Sequence, residues 1–334
     1  MDSSVFFLLI LSFFCLTLTS CVYGSVGDRS EAFRNCLSEC FWRKCPAKAA
    51  PQSTIDLPDD DWSRNQPWYL KLLVWECEDE CKYSCMWEVV EIFQKNDRAV
   101  PQFYGKWPFV RLFGIQEPAS ALFSVFNGLA HFFMLQKIVQ RVPRDAPTYR
   151  LWYSYALISM NAWFWSAVFH TRDFPFTEKM DYFGALAGVL FSFYTFILRM
   201  IGSDQAWKWL VPGAACLTFF VYHVHYLAFV HFDYGYNMLA NVTVGILNSV
   251  GWLVFCAVKR NGRSWRDMAP CALSVLFVDC LMLLELLDFP PFLWTFDAHS
   301  LWHFGTIPVT FVWYKFLIDD ARHLCGIKKT DKIA

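Results

Sequence analysis

The sequence predicts an all-α membrane protein, a seven-helix transmembrane bundle preceded by a disulfide-rich N-terminal luminal segment. Three observations carry this expectation. Of 334 residues, 56% are hydrophobic and only 18% charged, with mean hydropathy +0.28, which is too apolar for an ordinary soluble domain. Seven apolar windows follow one another, at 119–139, 150–170, 180–200, 207–228, 236–257, 268–287 and 298–317. Each is near the ~20 residues a helix needs to cross about 30 Å of hydrocarbon. Six cysteines cluster ahead of the first window. The net charge of −1 argues against a nucleic-acid binder, and the chain has no Gly-rich phosphate loop and no internal repeat.

Residues 1–24 read as a secretory signal. Val5 to Leu18 is its apolar core, and Val22-Tyr23-Gly24 leads to cleavage after Gly24, with retention as an anchor as the alternative. Residues 25–117 then form a Cys-rich luminal segment. Cys36, Cys40, Cys45, Cys77, Cys81 and Cys85 are an even number in a short stretch after a signal, which indicates disulfides in an oxidising lumen rather than a zinc site. Cys36-x3-Cys40 and Cys81-x3-Cys85 have helical spacing. Two such helices packed antiparallel would nest the bridges as Cys36–Cys85, Cys40–Cys81 and Cys45–Cys77, one of fifteen connectivities. Between them, Pro51 to Pro67 is polar and Pro-containing, hence a loop. Pro101 to Phe113 mixes aromatics with Lys106 and Arg111 and suits a membrane interface.

Residues 118–318 hold the seven windows, and 319–334 form a tail. Lys137, Arg141, Arg144 and Arg150 lie between windows one and two. Arg199 and Lys208 flank the turn after window three, and Lys259, Arg260, Arg263 and Arg266 lie between five and six. The tail carries Arg322, Lys328, Lys329 and Lys332, whereas the opposite loops hold only Arg172 and Lys179. The positive-inside rule therefore places the tail in the cytosol and the N-terminus in the lumen.

The residues that carry chemistry then fall on one side. Ser166 and His170 lie four apart at the luminal end of window two, Asp181 opens window three, and His299 and His303, again four apart, begin window seven. A spacing of four puts two side chains on one helix face. Three imidazoles plus a water form a catalytic zinc arrangement with an open position, and ionisable groups at membrane depth are costly enough to mark function. His170, His299 and His303 are therefore candidate Zn2+ ligands; the alternative is a polar cluster that only packs helices. Ser166 beside His170 also admits a Ser–His nucleophile. Glu285 and Asp288 lie near the same depth as supporting groups. His223, His225 and His231 read as interface residues, and His131 has no matching partner set.

SAVFH, the Asp181 of KMDYF, and DAHSLWH resemble the three motifs of the membrane hydrolase superfamily that contains alkaline ceramidases and adiponectin-receptor-like proteins. More closely, PQFYGKWPF, QEPAS, NAWFWSAVFHTRD, TEKMDYF, FDYGYN, ELLDFPP and DAHSLWH resemble the post-GPI-attachment-to-proteins factor three family, from about Asp28 to Asp319. The resemblance implies a multi-pass Golgi membrane protein, or alternatively one of the endoplasmic reticulum. Such a protein removes the sn-2 acyl chain from the lipid of GPI-anchored proteins as a phospholipase A2-like enzyme. It also implies that His170, His299 and His303 bind zinc, while Ser166 and Asp181 sit beside the metal-bound water. Asp181 would take a proton from that water, and Ser166 would donate to the developing oxyanion. Arg172 or Lys179 would contact the inositol-phosphate head group. A non-catalytic seven-helix receptor or escort for GPI-anchored cargo, and a ceramidase-like amidase, are the alternatives.

Overall fold

The computed structural model describes residues 25–45, 65–259 and 263–327. The predicted signal at 1–24, most of the Pro51–Pro67 loop, Arg260 and the basic end of the tail lie outside them. The chain divides into two compact units, Met1–Phe109 and Val110–Ala334. Among the described residues both are built from helices, and β-pairing is limited to isolated bridges.

The first unit contains α1 (Val26–Arg29), α2 (Glu31–Lys44), α3 (Trp68–Leu72) and α4 (Cys77–Lys95). Ser30 caps α2, its hydroxyl accepting from the Phe33 amide at 3.2 Å. Glu31 in the first turn and Arg43 and Lys44 in the last suit the helix dipole. α4 opens with three acidic residues, and the Asp79 carboxylate accepts from the Glu76 amide at 3.0 Å. The two long helices are bolted together by Cys36–Cys85, Cys40–Cys81 and Cys45–Cys77. Ascending order on one helix meets descending order on the other, the nested pattern that antiparallel helices impose. Cys81, Cys85, Phe33, Val89 and Val90 are all buried, so the bridges double as core. A short chain with little apolar area depends on such cross-links.

The second unit contains seven long helices among its described residues: α5 (Pro118–Arg141), α6 (Tyr149–Thr171), α7 (Pro175–Ile201), α8 (Ala206–His225, running on as a π-turn over Tyr226–Val230), α9 (Tyr234–Val258), α10 (Trp265–Leu287) and α11 (Ala298–Leu324). Their main contacts close a ring in the order α11, α5, α6, α7, α9, α10 and back to α11, with α8 packed outside on α7. Lipid tails give helices no hydrophobic reason to associate, so small residues and close packing decide. Gly184 of α7 shows this: a Cβ there would sit 3.0 Å from the Ala162 Cα of α6.

Five of these helices, α5, α7, α8 with its π-turn, α9 and α10, are long and apolar enough to cross a membrane. The protein is a multi-pass membrane protein. The two that do not meet that measure are α6 and α11. They carry Ser159, Ser166 and His170, and His299, Ser300, His303, Thr306 and Thr310, respectively. Hydropathy is lost where polar side chains face the inside of the ring. At the end of the bundle far from these histidines, Trp152, Trp252, Phe255, Tyr314, Phe316 and Leu317 pack into the main apolar core. Beside it, buried Asp320 accepts from Arg199 at 2.8 and 3.0 Å and from Arg263 at 3.0 Å, tying α7 and the segment before α10 to α11.

Candidate metal centre

Three helix ends and the segment before α5 build the site. α6 ends at Thr171, and the chain there is stitched to the approach to α5. The Gln116 amide donates to the Thr171 carbonyl and the Glu117 amide to the His170 carbonyl, both at 3.0 Å. The Asp173 amide donates to the Gln116 side chain at 3.2 Å. α11 starts with a capping box, the Asp297 carboxylate accepting from the Ser300 amide at 2.8 Å and the Ser300 hydroxyl from the Asp297 amide at 3.0 Å. This fixes the first turn, which carries His299, with His303 one turn further on.

His170, His299 and His303 come together. Their ligand atoms all lie within 4.8 Å of one another; Nε2 of His299 is 3.3 Å from Nε2 of His170 and 2.9 Å from Nε2 of His303. The other nitrogen of each ring points away to an acceptor. Nδ1 of His170 lies 2.7 Å from Glu117 Oε2 and Nδ1 of His299 2.8 Å from Glu285 Oε2. Nδ1 of His303 lies 2.9 Å from the Ser124 hydroxyl. Carboxylates only accept, so His170 and His299 carry their proton on Nδ1. Ser124 spends its own proton on the Ser120 carbonyl at 2.7 Å, so it too accepts from the imidazole. In their neutral form, the rings so held each turn an Nε2 lone pair toward the other two.

Three converging lone pairs repel unless something positive lies among them, and Glu117 and Glu285 add negative charge behind two of the rings. Neutral imidazoles oriented by carboxylates or hydroxyls are the donor set that a divalent metal takes. The residues present therefore fit a metal bound by three histidines with a further position open to water or substrate. The side chains of His170 and Glu117 are 3% and 7% exposed, those of His299 and Glu285 34% and 24%. The open side of the triad is thus the α10–α11 corner, where Trp302 stacks on His299.

Ser166 is buried beside the triad, its hydroxyl 3.1 Å from that of Ser124. With the Ser124 proton already engaged, Ser166 is the donor in that pair. Asp181 does not open its helix as the hydropathy window indicated; α7 begins at Pro175, which leaves Asp181 half-buried in the second turn. The acceptors at the three Nδ1 atoms are Glu117, Glu285 and Ser124. Glu285 has the supporting position expected of it, whereas Asp288 forms the left-handed C-cap of α10.

Glu117 and Ser124 escaped the sequence reading. The signal for Glu117 was its place in QEPAS, a carboxylate directly before a helix-opening proline at the edge of an apolar window, where favour from the helix dipole hides any other use. Ser124 looked like one more small packing residue. Two histidines also depart from expectation. His131 has a partner, the Tyr314 hydroxyl at 2.8 Å. His223 is fully buried against Phe219, Tyr236 and Phe183 instead of lying at an interface.

Comparison with known proteins gives one consistent result. The Per1-like family matches residues 67–321. The chain is 44% identical over 310 residues to the GPI-specific phospholipase A2-like PGAP3 of Danio rerio, spanning 92% of this chain and 93% of that one. It is 44% identical over 301 residues to the protein of the same name from Mus musculus, spanning 90% and 91%. Identity to the Post-GPI attachment to proteins factor 3 of Drosophila melanogaster is 39% over 302 residues, 89% of each chain. No solved structure matches.

Proposed function

The chain belongs to the Per1-like family, and from that premise we propose that it remodels the lipid of GPI-anchored proteins by hydrolysing the sn-2 acyl ester. Water adds across the ester, releasing a fatty acid and leaving a lyso-lipid on the anchor. The observation that carries the reading is the triad: three imidazoles, each fixed through Nδ1, aim Nε2 at one point beside a buried serine. His170, His299 and His303 would hold zinc, and when bound the metal supplies Lewis acidity and acidifies water. Asp181 accepts the proton of the attacking water. Ser166 exchanges its bond to Ser124 for one to the developing oxyanion, a trade of one hydrogen bond for a charge-assisted one. Glu117 and Glu285 keep the rings turned, so the donor set is in place before substrate arrives.

In this reading all seven long helices cross the membrane, with a cleaved N-terminal signal, a luminal N-terminus and a cytosolic C-terminus, in the Golgi or the endoplasmic reticulum. The three disulfides of the first unit support an oxidising surrounding for it. The wider likeness to alkaline ceramidases rests on the same Ser, Asp and His positions. The test is lipid analysis of GPI anchors in cells lacking the protein, complemented with wild type or with His303→Ala. The sn-2 chain should persist without the protein and with the variant. Normal anchors in the null cells would replace the enzyme with an escort, and cleavage of ceramide instead would replace the ester with an amide.

A further inference from the structure

α11, which supplies two of the three imidazoles, has a proline inside it at position 308. A proline in a helix has no N–H for the carbonyl four residues back, here that of Phe304, and its ring crowds that turn. Within a membrane such a break is tolerated where neighbouring polar side chains satisfy the disturbed carbonyls. The carbonyl next to that of Phe304 in the same turn is that of His303, and it has side-chain partners. The His303 carbonyl accepts from the Asn127 side chain of α5 at 2.8 Å and lies 2.8 Å from the Thr306 hydroxyl of its own helix. Asn127 is wholly buried: its second N–H goes to the Phe123 carbonyl at 3.0 Å, and its oxygen, 3.2 Å from the Thr306 hydroxyl, shares that hydroxyl's single proton with the His303 carbonyl. On the other side of the same turn, a Cβ on Gly305 would meet Leu281 of α10 at 2.4 Å, so α10 presses directly on the backbone there. The turn is held from both flanks.

We propose that Asn127 and Thr306 are positioning residues that set the direction of His303 by fixing the proline-disturbed turn of α11. They touch neither the metal position nor the reacting atoms. They hold the backbone from which the third Nε2 is aimed, as Ser124 holds its ring. The inference rests on the metal reading above and adds the residues that keep its third ligand in place.

The test is zinc affinity of the purified full-length protein, by competition with a chelating dye, for wild type, Asn127→Ala, Thr306→Val and Thr306→Ser. Asn127→Ala should weaken zinc binding about 10–100-fold, the scale on which lost supporting hydrogen bonds act. Thr306→Val keeps shape and removes the hydroxyl, so it should weaken binding in the same direction, and Thr306→Ser should restore wild-type affinity. If Asn127→Ala does not reach the membrane, the threonine pair decides alone. Wild-type affinity in Thr306→Val overturns the proposal. A wild-type protein that takes up no zinc overturns the metal reading itself, and this inference with it.

Discussion

Glu117 is tied to His170 twice, its amide donating to the histidine's carbonyl and its carboxylate lying 2.7 Å from the ring's Nδ1. The backbone contact fixes where the carboxylate sits, and the carboxylate fixes which way the ring faces. Glu117→Gln keeps the first and removes the charge of the second. Zinc affinity or activity should fall about 10–100-fold, as for other partners of metal-bound histidines. Zinc titration checks this, and an unchanged Kd would show that the carboxylate does not tune the ligand.

Removal of a ligand is a sharper change. His299→Ala and His303→Ala should each abolish zinc uptake and activity while the protein still inserts, because the apolar core lies at the other end of the bundle. Metal analysis of purified protein is the measurement. Full occupancy in both variants would exclude the triad as the metal site.

Ser166 and Asp181 separate two schemes. With direct attack by water, Ser166→Ala should lose about 10²–10³-fold in rate, the usual effect of removing one oxyanion donor, and Asp181→Asn should be strongly impaired while still binding zinc. With a covalent serine, Ser166→Ala would be inert and an acyl group would appear on Ser166 during turnover. Mass spectrometry distinguishes them. With zinc on Nε2 and Glu117 on Nδ1, His170 would have no free nitrogen to serve as the serine's base, which favours direct attack.

Cys81→Ser breaks the middle bridge of the N-terminal unit at a side chain that is 1% exposed. Loss of a native disulfide from a small extracellular domain costs about 2–5 kcal/mol. The variant should accumulate less and digest faster in limited proteolysis. Normal abundance and protease resistance would mean that the bridge does not stabilise the unit.

Asp320→Ala leaves Arg199 and Arg263 facing each other without their shared carboxylate. Breaking a buried ion pair by removing one partner costs about 3–5 kcal/mol. Thermal unfolding in detergent should shift down accordingly, and a melting temperature equal to wild type would contradict the clamp.

Much of this was legible in the chain. Window edges such as 119–139 and 236–257 fall within a few residues of α5 and α9, because hydropathy changes sharply where helices meet water. α7 and α11 run beyond their windows, to Pro175 and Leu324, because a helix can outlast its apolar stretch. The three histidines and Ser166 were recoverable because a spacing of four is a geometric statement about one helix. Glu117 and Ser124 were not, because their meaning lies in contacts with residues 53 and 179 positions away. Only the closed ring, which brings the head of α5 against α6 and α11, gives those two residues their use.

The least apolar long helices, α6 and α11, have a bearing on biogenesis. A translocon sorts segments by hydrophobicity, and these two are the ones least able to enter lipid alone. α11 is also the last of these seven helices to be synthesised, and it delivers His299 and His303 together. Until it docks between α5 and α10, a nascent chain holds one histidine of three. If the triad holds the metal as proposed, competence for chemistry is acquired in a single late step, and a copy lacking α11 would be inert toward the lipids around it.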